Sequence, residues 1–180
     1  MAEPATWPTF HRHWRDLADE LAQPPFVLFD AAGLAAGSRG LPREACAELE
    51  SLFDGDLADE LSEVGPCLGQ AAAWTEPVAR KLWPLLYERS ALLLWLVDAE
   101  ASFATLRRHL RKFNIVYDRH GCPQYFRYGD PRVLWKLLDD ERPVIDCGPL
   151  LQPVAGLLTV DGADELRRVV LRDGRVPRIA

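Results

Sequence analysis

The stretch ALLLWLVDAEASFATLRRHLRKFNIVYDRHGCPQYFRYGDPRVLWKLL (Ala91–Leu138) decides the fold of this chain. It begins with an unbroken apolar run, Ala91–Val97, which predicts a strand buried on both faces of a sheet. Ser102 has the side chain of a helix N-cap, and the helix that it starts is expected to run to about Phe113. The order of these elements predicts strands that alternate with helices.

The second half of the stretch carries turn signals. Asn114–Tyr117 and Pro123–Tyr128 are predicted strands, joined by Asp118–Gly121 as a hairpin whose glycine can adopt a positive φ. Asp130 then stands at the N-cap position of another helix and Pro131 at its first helical position. We therefore expect a hairpin followed directly by a capped helix.

Outward from this stretch, residues 1–25 are expected to form an amphipathic helix. Trp7, Phe10 and Trp14 recur at helical spacing, and Thr9 is positioned to cap the helix. These aromatic side chains are expected to cover the core.

The remaining segments complete the predicted order of elements. Phe26–Phe29 predicts a second strand buried on both faces, with Asp30 at its end. A helix is expected from Leu41 to about Phe53, and the section that contains Gly55 and Gly69 is expected to be irregular. Beyond residue 153 the alternation of apolar and turn residues predicts a C-terminal hairpin.

Together these elements predict one α/β domain: a central mixed β-sheet flanked by helices, with a C-terminal β-hairpin at one edge. The expected division is an N-terminal amphipathic helix (1–25), the main α/β domain (26–150) and a hairpin extension of that same domain (151–180). No repeat or linker interrupts the chain.

Composition narrows the classes of function. The chain is 48% hydrophobic and 27% charged, with a net charge of −6, as expected for a soluble globular protein. Its apolar runs are far shorter than the roughly 20 residues of a membrane helix, and no secretory signal is recognisable. We expect a cytoplasmic protein that binds neither membrane nor nucleic acid. The cysteines are scattered without paired metal-ligand spacing, so no metal or cofactor is expected.

The predicted helix that ends near Phe113 concentrates positive charge. At helical spacing Phe103, Leu106, Leu110 and Phe113 share a buried stripe. Arg107 and Arg111 then lie on one flank of this stripe, whereas Arg108 and Lys112 point outward. They form either a solvated face paired with neighbouring carboxylates or a surface that recognises a partner. The candidate partner-binding residues are Arg107, Arg108, Arg111, Lys112, Arg127 and Arg132.

Two further features accompany this helix. Carboxylates concentrate between Glu44 and Glu63, which we expect to form a separate acidic surface. Arg127 lies in the predicted hairpin and is expected to pair internally with a buried carboxylate. The residues assigned to this structural turn or lock are Asp30, Asp98, Asp130 and Pro131.

An enzymatic alternative rests on the ends of the two apolar strands. If these strands are parallel neighbours, Asp30 and Asp98 lie together at the carboxyl edge of the sheet, where α/β active sites gather. With Arg107 and His109 they would form a cleft suited to phosphoester hydrolysis. Against this alternative, the chain has no GxSxG, phosphate-loop, GxGxxG or HExxH motif.

Four segments in order resemble the bacterial family called domain of unknown function 4123: FVLFDAA (26–32), SLFDGDLADELSEVGPCL (51–68), LLLWLVDAEASFATLRRHLRKFNIV (92–116) and YFRYGDPRVLWKLL (125–138). The resemblance covers roughly residues 26–150. Cys67 stands where the family more often has an aromatic residue, and Gly129 replaces a bulkier one.

The resemblance implies a function. Members of that family serve as adaptor chaperones for effectors of the type VI secretion system. The chain is therefore expected to be a non-enzymatic cytoplasmic adaptor that binds a toxic effector and helps load it onto the spike protein, the valine-glycine repeat protein G. The alternative is the small phosphoester hydrolase described above.

Overall fold

The structure is a computed structural model that describes residues 2–33, 41–56, 61, 64–87, 92–97, 101–140, 145–160 and 165–171. Its helices are α1 (Trp7–Glu20), α2 (Leu41–Ala45), α3 (Glu76–Tyr87), α4 (Phe103–Leu110), α5 (Pro131–Asp139) and α6 (Gly148–Leu151). Its strands are β1 (Ala2–Pro4), β2 (Phe26–Asp30), β3 (Cys46–Ser51), β4 (Pro66–Ala71), β5 (Leu92–Leu96), β6 (Ile115–Tyr117), β7 (Pro123–Tyr125), β8 (Gly156–Val160) and β9 (Glu165–Val170).

A seven-stranded sheet in the order β1-β9-β8-β5-β2-β4-β3 forms the centre of the molecule. Helices cover both of its faces, so the prediction of a single α/β domain with a central sheet and a C-terminal hairpin is confirmed. That hairpin, β8–β9, lies inside the sheet, because β1 pairs with β9 on its outer side. In the described residues no helix has the length and apolarity that would allow it to cross a membrane.

The direction of the strands differs from the mixed sheet expected from the sequence. Every pairing between described strands of the main sheet is antiparallel. In the central pair Phe26 lies opposite Trp95, so the C-terminal end of β2 lies beside the N-terminal end of β5. A continuous apolar run indicates that a strand is buried on both faces, but it does not indicate the direction of the strand. Here helices on both faces bury an antiparallel strand in the same way.

Two cores lie on the two faces of the sheet. The first core contains Val27 and Phe29 with helices α1 and α3, whereas the second contains Phe26 and Leu28 with α4, α5 and α6. All four of these β2 side chains are at most 3% exposed. Because each buried side chain of this size stabilises the fold by about 1.5–3 kcal/mol, β2 anchors both cores.

The N-terminal helix forms, but it is shorter than the predicted 1–25, because Ala2–Pro4 form strand β1 and pair with β9. Helix α1 buries Phe10, Trp14 and Leu17 against the first core. Its N-cap is Thr6, whose side chain accepts a hydrogen bond from the backbone N–H of Thr9 at 3.3 Å. Thr9, the expected cap, therefore lies inside the first turn.

The segment after α2 contradicts the prediction of a helix to Phe53. The helix ends at Ala45, and the chain continues as the edge strand β3 with an irregularity between Cys46 and Glu48. Strand β4, which pairs with β3, occupies only the last part of the section that we expected to be irregular, whereas the described residues before it contain no strand. Pairing of β3 with β4, and of β4 with β2, outweighs local helix propensity here.

Gly69 explains why a glycine stands inside β4. A Cβ at this position would lie 2.6 Å from Cys46 Sγ on β3 and 3.2 Å from a methyl carbon of Leu49. A strand glycine is suited to such a close approach of a neighbouring side chain. The glycine at position 69 therefore reflects packing between two strands, not a turn.

We predict that Gly69→Ala lowers the free energy of unfolding by about 1–3 kcal/mol, because the added methyl group overpacks the contact with Cys46. Urea denaturation of the full chain measures the loss. In a Cys46→Ala background the sulfur is absent, so Gly69→Ala should lower the free energy of unfolding clearly less. An equal cost in both backgrounds would show that the sulfur contact does not select glycine.

Candidate partner-binding surface around the basic helix

Helix α4 carries the basic residues and is held by its cap and its apolar stripe. The Ser102 hydroxyl accepts a hydrogen bond from the Thr105 backbone N–H at 3.2 Å, which confirms the predicted N-cap. Phe103, Leu106 and Leu110 are buried in the second core. A 3₁₀ turn then extends the helical path through the predicted end at Phe113, and the basic side chains point away from the core.

Arg107 and Arg111 are paired with carboxylates at the edge of the sheet. Arg107 Nε lies 3.0 Å from both Ser51 O and Glu50 Oε2, and its Nη2 lies 3.3 Å from Asp54 Oδ1. Arg111 contacts the other carboxylate oxygen of Asp54. These contacts cover the C-terminal end of the edge strand β3, where an open carbonyl would otherwise face solvent.

The acidic segment is therefore not a surface separate from the basic helix. Glu50 and Asp54 belong to that segment, and both bind α4. Three of the carboxylates predicted to contribute to it, Asp59, Glu60 and Glu63, lie outside the described residues.

A shallow groove of about 360 Å³ lies where β3 and α4 meet. Its mixture of charges and apolar atoms can accept both polar and apolar side chains. The residues that line it are Glu48, Glu50, Phe103, Ala104, Arg107, Arg108 and Arg111.

Arg108 and Lys112 differ from Arg107 and Arg111 in their surroundings. Both are exposed, and neither forms an ion pair with another residue in the part of the chain that the structure describes. The division predicted from the helical positions is thus present. Arg107 and Arg111 are held by neighbouring acids, whereas Arg108 and Lys112 keep their charges in solvent.

The expected internal lock is formed by Arg127 and two buried aspartates. Arg127 Nε donates to Asp30 Oδ2 at 2.8 Å, its Nη2 contacts the same carboxylate, and Nη2 lies 3.5 Å from Asp130 Oδ2. Asp30 is only 2% exposed and Asp130 only 4%. The pair joins the end of β2 to the segment between the hairpin and α5, and the hydrogen bond to Asp30 raises the pKa of Arg127.

Asp130 also starts helix α5. Its Oδ1 accepts from the Arg132 backbone N–H at 3.0 Å, and Pro131 occupies the first helical turn, as predicted. The Arg132 side chain donates to the same carboxylate through Nε at 3.0 Å and Nη2 at 2.7 Å. Burial alone would raise the pKa of Asp130. The hydrogen bonds from Arg132 and the charges of Arg132 and Arg127 outweigh burial and hold that pKa below its ordinary value.

The proposed hydrolytic cleft is not assembled among the described residues. Asp30 binds Arg127, Arg107 binds Glu50 and Asp54, and His109 Nε2 lies 3.0 Å from Leu150 O. Strand β5, which precedes Asp98, runs antiparallel to β2, so its C-terminal end lies away from Asp30. Asp98 itself lies outside the described residues. The three described side chains thus have separate structural partners.

Three of the cysteines are buried or half-buried thiols. Burial raises the pKa of Cys46 to about 12, and it raises the pKa values of Cys67 and Cys147 to about 11 each. Thiols with such pKa values are protonated at neutral pH and react poorly. The part of the chain that the structure describes also contains no group of three or more His, Cys, Asp or Glu side chains placed to hold a metal ion.

Sequence reasoning missed two features around the hairpin. The buried hydroxyl of Tyr128 donates to Asn114 Oδ1 at 2.8 Å, and Asn114 Nδ2 donates to Leu52 O at 2.7 Å, so a polar network ties the hairpin to the end of β3. On the other side of the hairpin Ile115 and Tyr117 are exposed. Their spacing of two residues in a strand was the available signal for a shared outer face.

We predict that Arg127→Met lowers the free energy of unfolding by about 1–3 kcal/mol. The substitution leaves the Asp30 carboxylate buried without its cation, and the half-exposed guanidinium keeps the loss below that of a fully buried pair. Arg132→Met is the matched control and should cost less, because Asp130 keeps its backbone donor and Arg127. Equal losses in denaturant titrations would contradict the assignment of Arg127 as the lock.

A second prediction concerns pH. Because the pKa of Asp130 is lower in the folded state than its ordinary value of 3.8, its stabilisation is present above pH 3.8 and is lost as pH falls through the folded-state pKa. Asp130→Asn should therefore flatten the acid limb of stability against pH, measured by urea denaturation between pH 6 and pH 2. In an Arg132→Met background the flattening should shrink. An unchanged acid limb in Asp130→Asn would contradict this role.

Comparison with known proteins places the chain in a family. Residues 25–144 match the family model described as Domain of unknown function (DUF4123), which covers most of the chain, including β2 through α5. Neither a curated protein nor a solved structure matches the chain. The matched residues contain the basic helix, the Arg127 lock and the hairpin, and the chain belongs to the DUF4123 family.

Proposed function

We propose that this protein is a non-enzymatic adaptor chaperone that binds a cognate type VI secretion effector and helps load it onto the spike protein, the valine-glycine repeat protein G. The proposal combines the family resemblance carried by the sequence motifs with the arrangement of charges around α4. It places the protein in the bacterial cytoplasm, where an effector is held before secretion. No cofactor or membrane takes part in this function.

The division of the basic residues is the observation that carries the proposal. Arg107, Arg111 and Arg127 hold parts of the fold together through carboxylates. Arg108 on α4 and Lys112 in the 3₁₀ turn that follows it make no such contact in the described residues, and both are exposed. Because Arg108 and Lys112 form no ion pair with a described residue, the pairs that stabilise the fold do not account for these two cations.

Two properties of the site support protein binding over chemistry. Asp30 and His109, two of the four residues of the hydrolase alternative, are bound to Arg127 and to the Leu150 carbonyl. The groove between β3 and α4 is open and is lined by acidic and basic side chains. Charges of both signs are expected on a surface that steers and orients a partner. Complementary charges across an interface speed association and select the partner, whereas like charges placed against each other oppose binding.

The test uses the full chain and the products of neighbouring genes. We expect Arg108→Glu with Lys112→Glu to weaken capture of a cognate effector or spike protein at least tenfold, because the reversed charges repel the surface that the cations attract. Co-expression and pull-down, followed by titration at two salt concentrations, measures the change.

The matched control reverses Arg15 and Lys136, which are also exposed cations and give the same change in net charge. This control should bind as the wild type does. Equal binding by both double variants would remove the α4 surface from consideration, and failure of the wild-type chain to capture either partner would contradict the adaptor function.

A further inference from the structure

The hydrogen bonds of the small β6–β7 sheet show which backbone groups face outward. Phe126 N donates to Asn114 O at 2.9 Å, and Asp118 N donates to Cys122 O at 3.0 Å. Hydrogen-bonded and non-hydrogen-bonded pairs alternate along an antiparallel ladder. Because Asn114 and Asp118 both belong to hydrogen-bonded pairs, the odd-numbered residues of β6 direct their N–H and C=O groups away from β7.

Only one of the two edges of this sheet is well suited to accept another strand. On β7 the outward position Pro123 has no N–H to donate, which is a common way of blunting an edge. On β6 the outward positions Ile115 and Tyr117 each carry an N–H and a C=O. Within the part of the chain that the structure describes, β6 pairs with β7 and with no other strand. No described strand therefore occupies the outer edge of β6.

Apolar side chains accompany this edge. Ile115 lies opposite Tyr125 in the register, and Tyr117 lies opposite Pro123, so the four side chains share one face. Ile115 is 46% exposed, Tyr117 71% and Tyr125 38%. Exposed tyrosine and isoleucine on one small face are the kind of side chains that supply binding energy in protein interfaces.

The charges beside β6 indicate what chemistry would complement it. Lys112 precedes the strand and Arg119 follows it, and both are exposed. Asp118 is the acid nearest to β6 in sequence, and its Oδ1 accepts from the backbone N–H groups of His120 at 2.8 Å and Cys122 at 2.9 Å. Its charge offsets only one of the two cations. The outer edge of β6 is thus flanked by cations, which attract an acidic partner.

We propose that the outer edge of β6 binds an extended segment of a partner protein by strand addition, and that this segment alternates apolar with acidic residues. Its backbone pairs with Ile115 and Tyr117, its apolar side chains extend the face formed by these residues, and its carboxylates meet Lys112 and Arg119. The inference rests on the proposed function only in taking the partner to be a protein, and it adds the place and mode of binding.

The first experiment uses synthetic peptides with the isotope-labelled full chain. An acetylated and amidated peptide of about nine residues, alternating valine with glutamate, is titrated and followed by NMR. We expect slowed amide hydrogen exchange at Ile115 and Tyr117. A peptide with lysine in place of glutamate, and one N-methylated at alternate residues to remove the pairing N–H groups, should each bind at least tenfold more weakly. Protection elsewhere, no binding, or equal binding of the three peptides would overturn the proposal.

Variants test the same edge with a matched control. Ile115→Asp and Tyr117→Asp should each weaken binding of the glutamate peptide at least tenfold, because they place negative charge on the apolar face. Val64→Asp changes another side chain that is 46% exposed and should leave binding unchanged. Thermal unfolding of each variant establishes that the fold is retained. Equal effects of Val64→Asp and Ile115→Asp would overturn the proposal.

The outcome separates this inference from the adaptor function. If the wild-type chain and both hairpin variants capture effector and spike protein equally, strand addition is overturned while the adaptor function stands. If the wild-type chain captures neither protein but binds the glutamate peptide at β6, the adaptor function fails and the edge assignment stands. A wild-type dimer that Ile115→Asp dissociates would assign the edge to a second copy of this chain and overturn the acidic partner.

Discussion

Burial of β2 on both faces is the constraint on which the rest of the structure depends. Its side chains alternate between two cores, so helices must cover the sheet from both sides. The strand then ends at Asp30, a carboxylate almost without access to water. Such a charge is costly to bury unless a cation accompanies it, and Arg127 supplies that cation. The end of β2 therefore determines where the chain between the hairpin and α5 must lie.

This requirement links the fold to the candidate binding surface. With Arg127 held at Asp30, the segment between β7 and α5 is fixed, while the Tyr128 and Asn114 side chains attach the hairpin to α4 and to the end of β3. The hairpin is thus held on its inner side by a buried polar network. Its outer face and the exposed cations of α4 are left to solvent. Rigid support beneath an exposed surface reduces the ordering cost of binding a partner.

Prediction from the sequence succeeded where local signals and burial agree. The caps at Ser102 and Asp130, the turn at Gly121 and the apolar stripe of α4 all have short-range causes, and the structure confirms them. The pairing of Arg127 with an internal carboxylate was also foreseen, because an arginine in a covered strand needs one. The choice of Asp30 as its main partner required the three-dimensional arrangement, since the two residues are far apart in the chain.

The sequence by itself determined the segments that must be buried, the starts of α4 and α5 and the side of α4 on which each cation lies. Hydrophobic periodicity and capping act within a few residues, so they can be read along the chain. Only the tertiary structure decided the antiparallel direction of β2 and β5, the conversion of residues 46–51 into an edge strand, and the meeting of Glu50 and Asp54 with α4. These features depend on contacts between distant segments, whose free energies exceed the local preferences that oppose them.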